Sequence, residues 1–499
     1  MMEKKTAPLY EAVMRYAMSG CSPWHTPGHK MGLGADERLK KLITPQGLRG
    51  EVSLADELDD PFAPAGAIAE AQQAAAEYFG ARETVFLVSG TTGAIHLMIL
   101  AALVPGDLAL VSRGSHRSVL GGLALAGVRP VYIDPEYDKE AGLALNITPA
   151  AVESAVKKYP AAKALLLPSP NYYGIAADLR EIASILHRAG MLLLVDEAHG
   201  AHLSAMRGLR RPGQAGKGRI PESAMESGAD LAAQSTHKLL GSLTQTSMLH
   251  IGAAAPPDMG ERVYRAYGLT QTTSPDYLLL ASLDIARAQL QETGERALEK
   301  VYGLIGELAG KFDALPGLSL YSLPVDRQDH FTQDVFKLAV DVSGLGITGP
   351  RAWSFLRQEC QIQPELSDVR RVLFIASYAD NGESLGKLYK SLWALSSKYG
   401  GEKSGRRQEL PPLPTAAEGT PCLNPREAFF APAETTAIQA AVGRIAAEAV
   451  TFYPPGIPVF YPGEIITAEA VEYLRAGLAA GLVPHGSDPE LKTLRVIKR

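Results

Sequence analysis

The chain has 499 residues, of which 46% are hydrophobic and 21% charged, so it carries enough apolar material for a large buried core. Its net charge of −5, from 49 Lys and Arg against 54 Asp and Glu, excludes a nucleic-acid binder that works through phosphate contacts. Three widely spaced cysteines exclude a disulfide framework and a four-cysteine zinc site, and they fit a reducing, cytoplasmic setting. We expect no signal peptide and no membrane partner, because the best apolar run, Ile95 to Val104, is too short to span a bilayer.

The segments alternate between helical and strand-like patterns along most of the chain. Residues 1–50 hold short helical patterns broken by Gly and Pro, and we expect an N-terminal arm there. The segments that follow are helices at 67–80, 93–106 and 178–190, and strands at 84–90, 108–114, 128–134, 162–170, 191–200 and 230–236. This alternation predicts βαβ units and a mostly parallel sheet buried on both faces, in a large α/β domain over 51–285.

The remaining sequence predicts two further domains. A long helical stretch at 273–308 leads into a small α+β domain over 286–399, with strands at 335–344 and 370–377. The polar, Pro-rich segment 400–415 predicts a linker, and a C-terminal domain follows over 416–499.

The segment SGTTGA at 89–94 places Gly, two Thr and Gly where a strand ends and a helix begins. The free amides and the dipole of such a helix end favour a phosphate. An ordinary Thr N-cap is the alternative interpretation.

DEAHGAH at 196–202 places Asp196 at the carboxyl end of a buried strand, where open α/β sheets bind ligands. A helicase-type acidic box would need a phosphate loop, and the sequence contains no G-x-x-x-x-G-K-[ST]. Three alternatives stay open: a metal site with His199 and His202, a buried anion facing a cationic ring nitrogen, and a helix cap.

Lys238, in STHK at 235–238, follows an apolar strand and is surrounded by small hydroxyl residues. Partial burial lowers the pKa of an amine, so this lysine is a candidate for a Schiff base. A surface lysine that begins a helix is the alternative.

The order of these motifs is more informative than any one of them. A Gly-Thr-Thr turn, an Asp at a strand end and a Ser-x-His-Lys element resemble the layout of fold-type-I pyridoxal phosphate (PLP) enzymes. HTPGHK at 25–30, RGSHRS at 113–118, PELSD at 364–368 and YPPGIPVFYPGEIIT at 453–467 occur in the same order. Together they resemble the short bacterial ornithine/lysine/arginine decarboxylases, and most of all the biosynthetic arginine decarboxylases of that family.

The resemblance implies a fold-type-I, aspartate-aminotransferase-like large domain, a small α+β domain and a C-terminal domain. It implies PLP as the cofactor, with Lys238 as its Schiff-base lysine, Asp196 on the ring nitrogen and His116 stacked on the ring. The other implied cofactor contacts are Thr91, Thr92, Gly93, Ala198, Ser235, His237 and, reaching a partner subunit, Thr272 and Thr273. A homodimer or higher homo-oligomer with shared active sites follows. Larger family members carry Trp where this chain has His199, so the role of that position stays open.

The implied reaction is decarboxylation of a basic amino acid, with no metal, in which Lys238 or His237 protonates Cα. Arginine is favoured by the overall resemblance, with lysine or ornithine as alternatives. An aminotransferase or lyase is a further rival, because Arg370 and Arg371 are available as a carboxylate clamp. The proposed substrate contacts are His29, Glu365 and Asp368, and acidic residues of the segment 55–60 are further candidates. For HTPGHK we expect a structured arm near the active-site mouth, and for YPPGIPVFYPGE a structural role.

Overall fold

The computed structural model describes residues 7–53, 56–210, 220–400, 411, 414, 421–452 and 457–498. The predicted linker therefore lies largely outside the described residues, as does part of YPPGIPVFYPGE. The proposed domain boundaries stay predictions.

The helices are mostly short, and the long helical stretch expected at 273–308 is divided into α11 and α12. In chain order they are α1 (Pro8–Ala17), α2 (Glu37–Leu42), α3 (Pro45–Gly50), α4 (Ala67–Phe79), α5 (Gly90–Ala102), α6 (Arg117–Ala126), α7 (Pro149–Lys158), α8 (Leu179–Arg188), α9 (Thr236–Leu239), α10 (Met259–Thr270), α11 (Tyr277–Gln289), α12 (Glu295–Ala309), α13 (Gly349–Gln358), α14 (Gly382–Tyr399), α15 (Pro425–Phe430) and α16 (Ala468–Ala479). The predicted stop of α4 is confirmed, because Gly80 adopts φ 75°, a conformation that favours glycine.

The strands through Ile251 are β1 (Glu83–Leu87), β2 (Leu108–Ser112), β3 (Arg129–Ile133), β4 (Tyr137–Asp138), β5 (Leu143–Ala144), β6 (Ala162–Pro168), β7 (Ile175–Ala177), β8 (Leu192–Asp196), β9 (Leu231–Gln234) and β10 (Ser247–Ile251). Seven of them form one sheet in the order β1-β10-β9-β8-β6-β2-β3. β2 pairs in parallel with β3 and β6. β10, which the sequence pattern did not indicate, runs antiparallel to β1 and β9.

The later strands are β11 (Ser319–Leu320), β12 (Phe331–Gln333), β13 (Lys337–Asp341), β14 (Leu366–Ser367), β15 (Arg371–Ile375), β16 (Ala433–Ala437), β17 (Val450–Phe452), β18 (Pro458–Phe460), β19 (Pro484–His485) and β20 (Thr493–Ile497). β11, β13, β15 and β14 form an antiparallel sheet in that order. Near the C-terminus, β17 pairs with β18 and β19, and β16 pairs with β20. Buried side chains of this last region, including Phe452, Phe460 and Leu474, form an apolar core of their own.

The chain divides into two compact units. The first comprises residues 1–102, 195–207 and 222–296, and the second comprises 103–194, 208–221 and 297–499. The first unit contains the Gly-Thr-Thr turn, Asp196 and Lys238. The second contains RGSHRS, PELSD and the C-terminal region.

Candidate active site

Lys238 lies in α9, a single helical turn that begins directly after β9. Its backbone amide donates to Ser235 O at 3.1 Å, which keeps the turn tight. The side chain is half-buried. Lys238 therefore lies partly desolvated at a strand end, the environment predicted from the sequence for a reactive amine.

Asp196 is the last residue of β8 and is 4% exposed. Its Oδ1 accepts a hydrogen bond from the amide of Ala198, itself a buried residue, at 3.2 Å. Burial raises the pKa of the Asp196 carboxyl, while the charge of Lys238 and the Ala198 amide act in the opposite direction. The site thus holds a buried acid that a cationic ligand group would stabilise in its ionised form.

His199 lies next to the candidate lysine, with its Nε2 3.1 Å from Lys238 Nζ. It is 5% exposed. At this distance the two nitrogen atoms share a hydrogen bond, whose direction depends on the His199 tautomer. Among the described residues, no group of three or more His, Cys, Asp or Glu side chains is arranged to hold a metal ion, so the metal alternative for Asp196, His199 and His202 has no geometric support.

Three hydroxyls cluster at the beginning of α5. Thr91 Oγ1 lies 2.5 Å from Ser235 Oγ and 3.0 Å from Ser247 Oγ, and Ser247 donates to Gln234 O at 2.7 Å. A side chain at Gly93 would bring its Cβ within 2.0 Å of Ser89 Oγ, so only glycine fits there. This places Thr91, Gly93 and Ser235 together, while the side chain of Thr92 is exposed.

Two glutamines that no sequence motif indicated hold the same turn in place. The backbone carbonyl of Gln245 accepts a hydrogen bond from Gly90 N at 2.8 Å, and its side-chain Nε2 donates to Val88 O at 2.6 Å. Its φ of 83° is rare for a residue with a side chain. Gln271 Oε1 accepts from Ser89 Oγ at 2.6 Å. No sequence signal marks either residue, because both come from segments far from the turn.

His237 has a defined tautomer. Its Nδ1 lies 2.7 Å from Thr246 O, so Nδ1 carries the proton and Nε2 is left as an acceptor. Burial lowers the pKa of His237, the bond to Thr246 raises it, and the charge of Lys238 lowers it further. A neutral His237 with a basic Nε2 suits proton transfer better than donation to a phosphate.

His116, in the second unit, caps α6. Its Nδ1 accepts from Ser118 N at 3.2 Å and lies 2.9 Å from Ser118 Oγ, which holds the ring in one orientation and leaves Nε2 with the proton. Thr272 and Thr273, in the first unit, are exposed and follow Gln271, which is bonded to Ser89. Their predicted contact with a partner subunit stays a prediction.

His29 is engaged within the N-terminal arm. Its Nε2 lies 2.5 Å from Glu51 Oε2, and its Nδ1 accepts from Gly32 N at 3.0 Å. The segment around Pro27 and Gly28 forms turns, as the sequence indicated, and not a helix. A substrate contact for His29 stays a prediction.

The two acidic candidates in PELSD differ sharply. Glu365 is exposed. Asp368 accepts from Tyr173 Oη at 2.7 Å, from the amides of Arg370 and Arg371 at 2.7 Å each, and from Arg371 Nη1 at 3.2 Å. Four donors of its own unit satisfy Asp368, which favours a structural role, and Glu365 becomes the better candidate for a substrate cation.

Comparison with known proteins gives a consistent result. Residues 7–315 match the family model "Orn/Lys/Arg decarboxylase, major domain", and residues 416–490 match the C-terminal domain of the same family. The chain is 39% identical to the arginine decarboxylase of Halalkalibacterium halodurans, over 100% of this chain and 99% of that protein. It is 36% identical to the arginine decarboxylase of Bacillus subtilis, again over 100% and 99%.

The crystal structure of the Francisella novicida lysine decarboxylase LdcF superposes with a TM-score of 0.84 at 21% identity, covering 99% of this chain and 81% of that one. This likeness confirms the predicted fold-type-I α/β class with its C-terminal domain. No helix among the described residues is long and apolar enough to cross a bilayer. With family matches over both of its major regions, this chain belongs to the Orn/Lys/Arg decarboxylase family.

Proposed function

We propose that the protein is a PLP-dependent arginine decarboxylase that converts L-arginine to agmatine and CO2. The observation that carries this proposal is the buried Asp196 at the end of β8, near enough to Lys238 for the charge of that lysine to act on the Asp196 carboxyl. The full-length similarity to two proteins named arginine decarboxylase supports the choice of substrate.

The residues present fit PLP. Asp196 is a buried acid whose ionised form a pyridinium N–H would stabilise. The hydroxyls of Thr91 and Ser235 and the N-terminal end of α5 suit a phosphate. The neighbouring Thr236 Oγ1 is buried without a hydrogen-bond partner among the described residues, so an acceptor oxygen would satisfy it. When bound, PLP supplies the electron sink for the pair released as the bond between Cα and the carboxylate breaks.

The protein's own groups then orient the substrate and manage protons. Lys238 Nζ is the amine that would hold the cofactor, and it could carry a proton to Cα of the substrate. His199 Nε2, at 3.1 Å, is within hydrogen-bonding distance of Lys238 Nζ and so holds the amine in place. His237 Nε2 is the second candidate for moving that proton, because Thr246 O fixes its tautomer.

Choice among arginine, lysine and ornithine depends on the group that meets the side-chain cation. A planar guanidinium is best held by a carboxylate that accepts two bonds, whereas an ammonium is a compact point charge. Glu365 is exposed and its carboxylate is our candidate for this contact. Lysine or ornithine decarboxylation remains the alternative that the same cofactor site would support.

An aminotransferase would need an arginine for the substrate α-carboxylate. Arg370 donates from Nε and Nη2 to Asp341 and from Nη1 to Glu140 O. Arg371 donates from Nη1 to Asp368. The Arg370 guanidinium is held by acceptors of its own unit, whereas Nε and Nη2 of Arg371 are buried without a hydrogen-bond partner among the described residues. The match to the Orn/Lys/Arg decarboxylase family favours the decarboxylase over the aminotransferase.

We further propose a cytoplasmic homodimer with shared active sites, in which Thr272 and Thr273 complete the phosphate site of the neighbour. The three free cysteines fit that compartment. Mixing a Lys238→Ala protein with a Thr272→Ala/Thr273→Ala protein should restore activity in heterodimers, if each subunit lends these residues to the other. A fully active monomer by light scattering under assay conditions would contradict the shared site.

The test of function is an amino-acid panel with added PLP, scored for CO2 and for the amine formed. We expect agmatine, with kcat/KM for arginine at least about tenfold above lysine and ornithine, as a lost bidentate contact predicts. Cadaverine or putrescine formed faster than agmatine would overturn the substrate. A keto acid without CO2 would overturn the decarboxylase.

A further inference from the structure

The segment Tyr461-Pro462-Gly463-Glu464, near the C-terminus, makes a buried contact. Its sequence predicts a turn but not this contact. Gly463 has φ 93°, and a Cβ there would meet Leu423 O at 2.0 Å, so glycine is required. The turn presents the carboxylate of Glu464, whose side chain is 11% exposed.

Glu464 binds Arg113 through both of its oxygens. Arg113 Nη1 donates to Oε1 at 2.7 Å and Nη2 donates to Oε2 at 3.0 Å. Nη2 also donates to Val459 O at 3.1 Å, and Oε2 accepts the amide of Tyr461 at 2.8 Å. A two-pronged pair of this kind fixes orientation as well as position, and it joins residues 351 apart in the sequence.

Two aromatic rings lie beside the same guanidinium group. The rings of Tyr132 and Tyr461 are stacked with centroids 4.4 Å apart, and Arg113 Cζ lies 5.8 Å and 5.4 Å from their respective centroids. Tyr461 Oη also donates to Arg113 O at 3.3 Å. The C-terminal region therefore holds both the side chain and the backbone of Arg113, which is 3% exposed.

Arg113 begins the short loop that ends at His116. Its amide donates to Ile133 O at 2.8 Å, and Ser115 N donates to Ser112 O at 3.0 Å, so the loop is a tight turn with little freedom of its own. His116 then caps α6 through Ser118. Only Gly114 and Ser115 separate Arg113 from His116.

We propose that Glu464, with Tyr461, is a positioning residue that sets the orientation of His116 through Arg113. The proposal rests on the proposed function, since the family resemblance implies His116 as the residue that stacks on the PLP ring. It gives the C-terminal region a part in holding His116.

A purely structural ion pair is the competing explanation, and the chain offers a matched control for it. Arg444 Nη2 donates to Glu434 Oε1 at 2.6 Å and to Ile497 O at 2.9 Å, in the same C-terminal region. Glu434→Gln therefore removes the same charge from another carboxylate–guanidinium pair of this region, at a carboxylate that binds Arg444.

The experiment compares Glu464→Gln, Glu434→Gln and His116→Ala in the full chain loaded with PLP. The readouts are the visible circular dichroism of the bound cofactor, its dissociation constant and the melting temperature. We expect Glu464→Gln to change the dichroism in the same direction as His116→Ala and to weaken PLP binding by about tenfold, within the range for residues that act through packed neighbours. Glu434→Gln should leave the dichroism and the dissociation constant unchanged.

A double variant separates positioning from a general loss of stability. In the His116→Ala background, Glu464→Gln should have no further effect on the dichroism, because its effect passes through the ring already removed. An additive effect, or a Glu464→Gln dichroism like that of Glu434→Gln, would overturn the inference and leave the proposed function intact. Unchanged dichroism and PLP affinity in His116→Ala would overturn the His116 assignment and this inference together, whereas borohydride labelling of Lys238 tests the proposed function separately.

If Glu464→Gln does not fold, Tyr461→Phe replaces it in the same series. This variant keeps the stacked ring and removes one hydroxyl, and with it the bond to Arg113 O. We expect a smaller dichroism change in the same direction. A Tyr461→Phe protein identical to wild type in both cofactor readouts would overturn the inference.

Discussion

Two polar clusters of this chain handle buried charge in opposite ways. In the cluster around Asp341, Asp368 and Arg371, Asp368 accepts from Tyr173 Oη at 2.7 Å and from Arg371 Nη1 at 3.2 Å, and Arg371 Nη2 lies 3.9 Å from Asp341 Oδ2. Burial lowers the pKa of Arg371, but Asp368 and its other anionic neighbours raise it by more, so the guanidinium stays charged. In the cluster around Asp196, burial prevails and the carboxyl's pKa is raised.

The difference indicates that the cluster around Asp368 stabilises the fold and that the cluster around Asp196 binds a ligand. A buried ion pair is costly to break, because removing one partner leaves the other charge uncompensated. A buried acid with a raised pKa is stabilised only when a cation arrives, which is common at functional sites. Variants in the two clusters should therefore affect different quantities.

The largest effect should follow from Lys238→Ala. Removing the amine removes the covalent attachment of the cofactor, so turnover should fall by at least about three orders of magnitude, while some PLP still binds non-covalently. The control is Lys157→Ala, which removes an exposed lysine paired with Glu153. Steady-state agmatine formation measures both, and activity of Lys238→Ala within tenfold of wild type would contradict the assignment.

Asp196→Asn should separate activity from stability. We expect kcat to fall by orders of magnitude, because the lost charge acts on the transition state, and an effect confined to KM would count against this role. In the cofactor-free protein, by contrast, Asp196→Asn should raise the stability of the fold. A carboxyl whose folded-state pKa is raised contributes fully only below its unfolded pKa, about 3.9, and that stability is lost as pH rises through the folded-state pKa.

The cofactor-free Asp196→Asn protein should therefore melt higher than wild type at pH 7, with the difference shrinking towards pH 4. Added PLP should raise its melting temperature less than it raises that of wild type. Thermal melts over this pH range measure both effects. A cofactor-free variant that is less stable than wild type at pH 7 would show that Asp196 is a structural cap.

Arg371→Met tests the other side of the comparison. It leaves Asp368 without its cation, while Asp341 keeps Arg370, so the free energy of unfolding should fall by about 3 kcal/mol. The matched control is Arg262→Met, whose pair with Asp258 is exposed and should cost less than about 1 kcal/mol. Urea denaturation of both variants decides, and equal losses would mean that the cluster is not a stabilising unit.

The smallest effect should follow from His199→Phe. Losing the hydrogen bond between Lys238 Nζ and His199 Nε2 leaves the amine less well placed, so added PLP should link to Lys238 about tenfold more slowly. Asp196 and His237, on which the charge of Lys238 acts, remain. His199→Gln retains a hydrogen-bonding group and should restore the wild-type rate, and an unchanged rate in His199→Phe would contradict the contact.

Local sequence was sufficient for the order of the elements and the ends of the decisive ones. Hydrophobic runs of four to six residues predicted β1, β2, β6 and β8, and glycines marked where α4 stops and α5 starts, because these features depend on backbone conformation within a few residues. The motif order placed Asp196 and Lys238 at strand ends for the same reason. The family resemblance added residue roles that no local pattern carries.

Tertiary structure alone decided which distant groups meet. Gln245 and Gln271 hold the Gly-Thr-Thr turn. Tyr173 donates a hydrogen bond to the Asp368 carboxylate, 195 residues away in the sequence. The Arg113–Glu464 pair joins residues 351 apart. No periodicity encodes such contacts, because they depend on the order in which strands assemble and on the reach of side chains across them. For that reason the acidic residues of PELSD looked equivalent in the sequence, whereas packing leaves Glu365 exposed and satisfies Asp368.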